Sequence, residues 1–370
     1  MNITFLVGNG FDLNLGLDTT FSSFLKEYTS EISKEENEKE TAPLYLFKKD
    51  ILKDAKQWSS AERAFGKYTK ELDNTKEGAA LAFCECHEDF CISLGRYLEN
   101  QESRLDMQAM GNDAGKEFAK SINIANMLSG FREVTKSELN NALGNFGGGF
   151  TYHFLDFNYT RTLDNFFSVT KNTSAILGTR GYSGVTYPNK LETLIHVHGY
   201  TDKDMVLGVN DESQIENIHL FEGYGQEYKN QIIKPKTNEM NERLNDKKAA
   251  EIISKSDFIY VYGMSIGETD AIWWQRIISA MLKKAKLHLI IHCHSAPKRE
   301  VISRKYYTFS DKIKNHFLSF SGKDIAVMGD IKNRIHIDAG NIFSPLETLS
   351  KKSFLDKKVV NSNTESLVSV

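Results

Sequence analysis

Four short polar clusters in this sequence carry residue types able to do chemistry, and each follows an apolar run. They are Gly8-Asn9-Gly10-Phe11-Asp12, Asn158-Tyr159-Thr160, His196-Val197-His198-Gly199, and Gly263-Met264-Ser265-Ile266-Gly267 with Asp270 close behind. Glycines such as Gly8 and Gly10 let backbone amides approach a phosphate, and a helix N-terminus behind them supplies partial positive charge. Leu13 stands where a dinucleotide fingerprint would place its third glycine, so a tight turn without a ligand competes with that reading. His196 and His198 stand two apart on a strand and would share one face. Such a pair offers two zinc ligands, but after Asp202 and Asp204 no histidine arrives at the spacing of a common metallohydrolase. His198, just before Gly199, is better placed as a base or hydrogen-bond partner at a strand end; a buried histidine satisfied by backbone is the competing reading.

Two further groupings invite chemistry and carry less of it. Ser265 lies in a Gly-x-Ser-x-Gly pattern, the form of a nucleophile elbow, with Asp270, His292, His294 and His336 as later partners. No second oxyanion motif accompanies it, so an esterase is a weak reading. Cys84, His87 and Cys91 fall on one helical face with Cys86 nearby, but without the tight turns of a zinc site a core face is expected. No metal is expected.

The elements that must hold these clusters follow from periodicity. Ile3 to Val7 is β-branched and aromatic and is cut off by glycine, which predicts a buried strand. Thr19 or Thr20 is placed to cap a helix through Phe21, Phe24, Leu25 and Tyr28. Leu44 to Leu143 shows helical spacing throughout, with Trp58 and Glu62 sharing a face of a helix that starts near Ser59 or Ser60. After Gly144 to Gly149 the pattern changes. His153–Phe157, Leu194–Val197, Met205–Val209, Asp257–Tyr262 and Leu287–His292 read as strands, and Glu239–Ser256 and Ile272–Leu282 as helices. Strands alternating with helices predict a mostly parallel sheet covered on both faces, with ligands beyond the carboxyl ends of the strands. All four clusters would then lie along one edge.

The chain has 370 residues, 40% hydrophobic and 26% charged, which describes a globular protein with a large core. A net charge of −3 supplies no field for tight duplex binding. No apolar run reaches the roughly 18 residues of a membrane span. The start lacks the basic region of a signal peptide, and the 4 cysteines are too clustered for a disulfide scaffold. A cytoplasmic location is expected. The Glu/Lys-rich run from Glu31 to Glu40 reads as a solvated helix face or a mobile segment.

The clusters, in this order, resemble the bacterial abortive-infection AbiH family of phage-defence proteins. Phe5 to Asp12 followed by Leu17 and Phe24-Leu25 is the most specific segment; Phe157 to Thr160, His196 to Gly199, Tyr262 to Ser265 with Asp270, and Trp58 with Glu62 agree with it. AbiH proteins are in turn distantly similar to sirtuin-like domains of bacterial defence systems, several of which degrade NAD. That kinship implies a Rossmann-like, sirtuin-like sheet: one α/β domain over residues 1–350, with a helical insertion over 31–145 and a flexible tail over 351–370. Asn158 and His198 would be the catalytic pair around the nicotinamide ribose. Gly8, Asn9, Gly10, Phe11 and Asp12 would form the opening phosphate loop, and Gly263, Ser265 and Asp270 the adenosine side. Asn9 and Asp12 stand where sirtuins usually have alanine and serine, and the four-cysteine zinc ribbon is missing, which argues against protein deacylation.

The function implied is a defence effector that binds NAD and hydrolyses its nicotinamide–ribose bond. Two other readings stand beside it: a nucleic-acid-cleaving toxin, weakened by the missing basic patch and metal-carboxylate set, and a nucleotide-binding sensor without turnover. The expected partners are a small-molecule nucleotide, a phage-derived trigger or a partner defence protein, and further copies of the chain, with no membrane.

Overall fold

A computed structural model describes the chain except for residues 33–41, 74, 77, 173–176, 224–225, 298–303 and 355–370. Most of the Glu/Lys-rich run, and all of the expected tail beyond 354, lie outside the described residues.

Among the described residues eight strands are formed: β1 Asn2–Val7, β2 Thr151–Asp156, β3 Thr179–Tyr182, β4 Val185–Pro188, β5 Lys190–His196, β6 Phe258–Tyr262, β7 His288–His292 and β8 Ile335–Asp338. Six of them make one sheet in the order β5-β2-β1-β6-β7-β8, every pair parallel. Numbered along the chain, those six strands run 3-2-1-4-5-6, the doubly wound Rossmann order. The order reverses between β1 and β6, and there the loops after the two strands diverge to opposite faces of the sheet. A ligand crevice belongs at that point.

The central strands are mostly apolar because both faces are covered, and the buried Thr4 of β1 is satisfied by the Ser256 hydroxyl at 2.6 Å. In β1, Ile3, Phe5 and Val7 join one core while Leu6 joins the other. The first core is closed by the helices Met107–Ser121, Glu133–Gly144 and Thr162–Asn172, the second by Asn245–Lys255, Ala271–Lys283 and Arg304–Ser319. Each strand splits its side chains this way because successive residues point to opposite faces.

Between β1 and β2 every described element is helical, but these helices serve two bodies. Met110, Ala114, Phe118 and Leu139 belong to the sheet's own core. The helices Phe21–Tyr28, Pro43–Lys53, Ala61–Tyr68 and Ala79–Ser103 instead build a separate aromatic core around Phe47, Trp58, Phe65 and Phe90. That core is completed from far along the chain by Leu207, Val209, Ile215, Leu220 and Ile232.

Several local expectations shift. The glycine turn opens directly into a five-residue helix, Gly10–Asn14, and Thr20 rather than Thr19 caps the next one, accepting from the Ser23 amide. Trp58 ends the short helix Ala55–Trp58, so it does not share a helix with Glu62, which begins Ala61–Tyr68. Met205–Val209 is not a strand: the Val206 amide donates to the His198 carbonyl at 2.8 Å and Val209 forms an isolated bridge with Ile233, so its backbone bonds are divided between separate loops and build no ladder. Two elements carry no expectation at all. The β3–β4 hairpin turns on Ser183-Gly184, both at positive φ, and β8 is four residues of an Ile-His-Ile-Asp run.

Candidate functional site

The carboxyl ends of β1, β2, β5, β6 and β7 open into one cavity of about 1030 Å³. Gly8, Asn9, Gly10, Asp12, Asn158, His198, Gly263, Ser265 and Asp270 all line it. Ser59, Ser60, Glu62, Leu94 and Leu98 from the helical body form the facing wall. All four polar clusters therefore meet, as parallel strands require.

The two glycine loops are joined to each other. Gly8 donates its amide to the Tyr262 carbonyl and Gly10 to the Gly263 carbonyl, each at 2.9 Å. A Cβ on Gly8 would stand 2.9 Å from the Gly263 carbonyl oxygen, so glycine is needed for the close approach. These amides are thus occupied within the protein. Asn9 is held by Thr19, whose hydroxyl donates to Oδ1 at 2.5 Å while Nδ2 donates to the Thr19 carbonyl at 3.1 Å.

Phe11 departs from the expected phosphate loop. It is fully buried, edge-on to Phe166 at 6.0 Å and to Phe343 at 5.1 Å, and does not line the cavity. The reason is the helix Gly10–Asn14, which turns position 11 into the core and position 12 toward the cleft floor. Asp12 is buried as well; its carboxylate accepts from Thr160 at 2.7 Å and from Thr162, and burial raises its pKa to about 6. It ties the turn after β2 to the turn after β1.

His196 and His198 point to different places. β5 ends at His196, and Gly199 turns at φ +79°, so strand periodicity no longer governs position 198. His196 enters a buried acidic cluster: Nδ1 donates to the Asn158 carbonyl at 3.1 Å, and Nε2 meets Asp164 at 2.6 Å and Asp156 at 3.6 Å. Burial opposes its charge, but Asp156 and Asp164 outweigh burial and raise its pKa. Asp156 also accepts from the Asn158 amide at 2.9 Å, so Asn158 is fastened through both backbone groups. The Asn158 side chain donates Nδ2 to the Gly8 carbonyl at 3.2 Å.

His198 faces the cleft. It is 5% exposed and neither ring nitrogen has a hydrogen-bond partner. Its Nε2 lies 3.9 Å from Asp270 Oδ1, an ion-pair separation beyond hydrogen-bond reach. Burial, and then the nearby Lys234 ammonium, lower its pKa, so the ring is neutral at pH 7. Burial also works against charge on Asp270, but His198 and Lys234 outweigh it and hold that carboxyl below its usual range. Lys234 itself is buried and pairs with Glu62 at 2.7 Å, and Tyr159 stands over the same carboxylate at 3.5 Å. Phe157 packs edge-on against the His198 ring at 5.4 Å.

Ser265 sits exposed at the mouth of the cleft. His316, which also lines the cleft, is turned to the Ile266 carbonyl at 2.8 Å. The cysteine face is a packing face: His87 Nε2 donates to the Leu207 carbonyl at 3.0 Å, its ring lies edge-on to Phe65, and burial raises the Cys84, Cys86 and Cys91 thiols to about 12.

Lys234, Asp156 and Asp164 were not singled out by sequence. Asp156 carried a signal, since a carboxylate closing an apolar strand is costly to bury without a partner. Lys234 carried none; only folding brings it to Glu62.

Fold and cleft together define a Rossmann-like α/β protein with a cleft at its topological switch point. The family model for bacteriophage abortive infection AbiH matches residues 4–291, and the chain belongs to that family. No curated protein and no solved structure matches it. Among the described residues no helix is long and apolar enough to cross a membrane.

Proposed function

We propose that this protein acts in abortive infection by binding NAD in the switch-point cleft and hydrolysing the nicotinamide–ribose bond. The observation that carries the reading is His198: neutral, buried and without a hydrogen-bond partner, in a cleft that Asn158 also lines. A cleft of about 1030 Å³ is at the upper end of small-molecule sites, as a dinucleotide needs. We rest the same assignment of Asn158 and His198 on the distant kinship with sirtuin-like NAD-degrading domains that the sequence motifs imply.

In this reaction water adds to the anomeric carbon of the nicotinamide ribose as the C–N bond breaks. The bonding pair goes to the pyridinium nitrogen, so nicotinamide leaves neutral. The water proton passes to His198, whose neutral ring can accept it. Asn158 keeps one amide hydrogen and its carbonyl oxygen to hold the water or a ribose hydroxyl. Asp270, held ionised, stabilises positive charge on the ribose. A positioned base of this kind contributes about 10²–10⁴-fold. Gly8 and Gly10 shape the pocket, while their amides serve the loop junction.

The test is the NAD level during infection in cells carrying wild type or His198→Ala, alongside NAD turnover by the purified proteins. Depletion by wild type and none by the variant supports the reading. Undepleted NAD in both, with protection intact in the variant, removes it, and degraded RNA or DNA beside intact NAD points to a nuclease.

A further inference from the structure

At the amino ends of β7 and β8, opposite the cleft, three metal-ligating side chains from separate parts of the chain converge. His288 opens β7, His336 lies in β8, and Glu138 reaches over from the helix Glu133–Gly144. Their ligand atoms all lie within 4.8 Å of one another. The two histidines are on the same sheet face, because His336 pairs in register with Ile290, two residues beyond His288.

The distance between the rings is informative. His288 Nδ1 faces His336 Nε2 at 3.2 Å. Two nitrogens aimed at each other share at most one proton, so both rings cannot be imidazolium. Donors about 2.0–2.1 Å from a tetrahedral zinc lie about 3.3 Å apart along each edge of the tetrahedron. The observed separation matches that edge. Neighbouring rings fix the pair: Phe258 lies roughly parallel to His288 with centroids 6.2 Å apart, and Phe131 meets His336 edge-on at 6.2 Å. A plain imidazole–imidazole hydrogen bond would account for the two histidines and the nearby Lys314 ammonium for the charge of Glu138, but neither requires all three ligand atoms to gather within 4.8 Å.

We propose that Glu138, His288 and His336 form a binding site for a divalent transition-metal ion, zinc by preference for a set of two imidazoles and a carboxylate. Glu138 is exposed, so the fourth position opens to solvent and takes a water. The site fastens the edge strand β8 and its neighbour β7 to a helix of the covering layer. Sequence hides it because the ligands are 150 and 48 positions apart (288 − 138 and 336 − 288).

The test uses the purified full chain, stripped with a chelator, loaded with zinc, desalted and assayed by mass spectrometry. Wild type should retain one zinc per chain, with a rise in Tm on loading, and cobalt in its place should give the intense visible absorption of a tetrahedral site. His336→Gln should lower zinc affinity at least tenfold. Glu138→Gln, an exposed change that leaves the fold intact, should lower it by about tenfold as well. Wild type that retains no zinc, or a Glu138→Gln variant that retains as much as wild type, overturns the proposal. Neither outcome touches the NAD reading, which rests on the opposite edge of the sheet.

Discussion

Gly10 and Gly263 face each other so closely that neither can carry a side chain: a Cβ on Gly10 would lie 2.4 Å from the Gly263 Cα, and one on Gly263 would lie 2.7 Å from the Gly10 Cα. Gly263 is also held at φ +70°, a region that favours glycine. Gly10→Ala should cost about 1–3 kcal/mol through overpacking, and Gly263→Ala more, because backbone strain adds to it. Denaturant unfolding of both variants checks the order. Equal, negligible losses would mean that the loops part easily.

Phe11→Ala should behave as a core variant. A phenylalanine between Phe166 and Phe343 leaves a cavity when truncated, with a loss of about 3–5 kcal/mol. Ligand affinity per folded molecule should be unchanged, since the ring does not line the cleft. Calorimetric titration with NAD on the folded fraction separates the two effects.

The acidic cluster makes stability depend on pH with a definite sign. Burial raises Asp12 from 3.8 to about 6 and Asp156 from 3.8 to about 7, so the folded state holds these protons more tightly than the unfolded chain. Their contribution is fully present below pH 3.8 and is lost as pH rises through about 6 and about 7. His196, raised by Asp156 and Asp164, also loses its contribution as pH rises. Urea midpoints should therefore fall from pH 5 to pH 8, and Asp156→Asn should flatten that slope by roughly 2 kcal/mol. An unchanged slope in the variant would count against the buried carboxylate as its source.

Lys234 is the test of what keeps His198 neutral. Removing one member of the buried Lys234–Glu62 pair alone should cost about 3–5 kcal/mol, so the double variant Glu62→Gln, Lys234→Gln is the safer comparison. The double variant removes both the Lys234 ammonium, which lowers the His198 pKa, and the Glu62 carboxylate, which raises it; the ammonium is the larger influence, so the pKa should rise by the difference. An NMR titration of the His198 ring reads this directly. In NAD turnover, the acidic limb of the pH profile should move to higher pH.

The sheet was legible because its strands are continuous apolar runs punctuated by glycine, as at Val7-Gly8 and Tyr262-Gly263. Convergence of the four clusters followed from parallel strand direction alone. Phe11 was misplaced because a turn and a five-residue helix look alike in sequence, yet the helix rotates one side chain into the core. Strand periodicity puts His196 and His198 on one face, but β5 ends at His196 and residue type does not mark that end. Lys234 and the Asp164 partner of His196 depend on distant packing, which no local spacing encodes.

The aromatic core shared between residues 24–98 and residues 207–233 has a consequence for synthesis on the ribosome. Phe47, Trp58, Phe65 and Phe90 emerge long before Leu207, Val209 and Ile232 are made. At about 5–20 residues per second, the wait is on the order of ten seconds. β1 waits longer still, because its partner β6 begins at Phe258. For that interval the nascent chain displays unpaired strand edges and uncovered aromatic rings, the surfaces that chaperones bind. Supply of this protein in the cell should therefore be limited by chaperone capacity during translation, before its equilibrium stability comes into play.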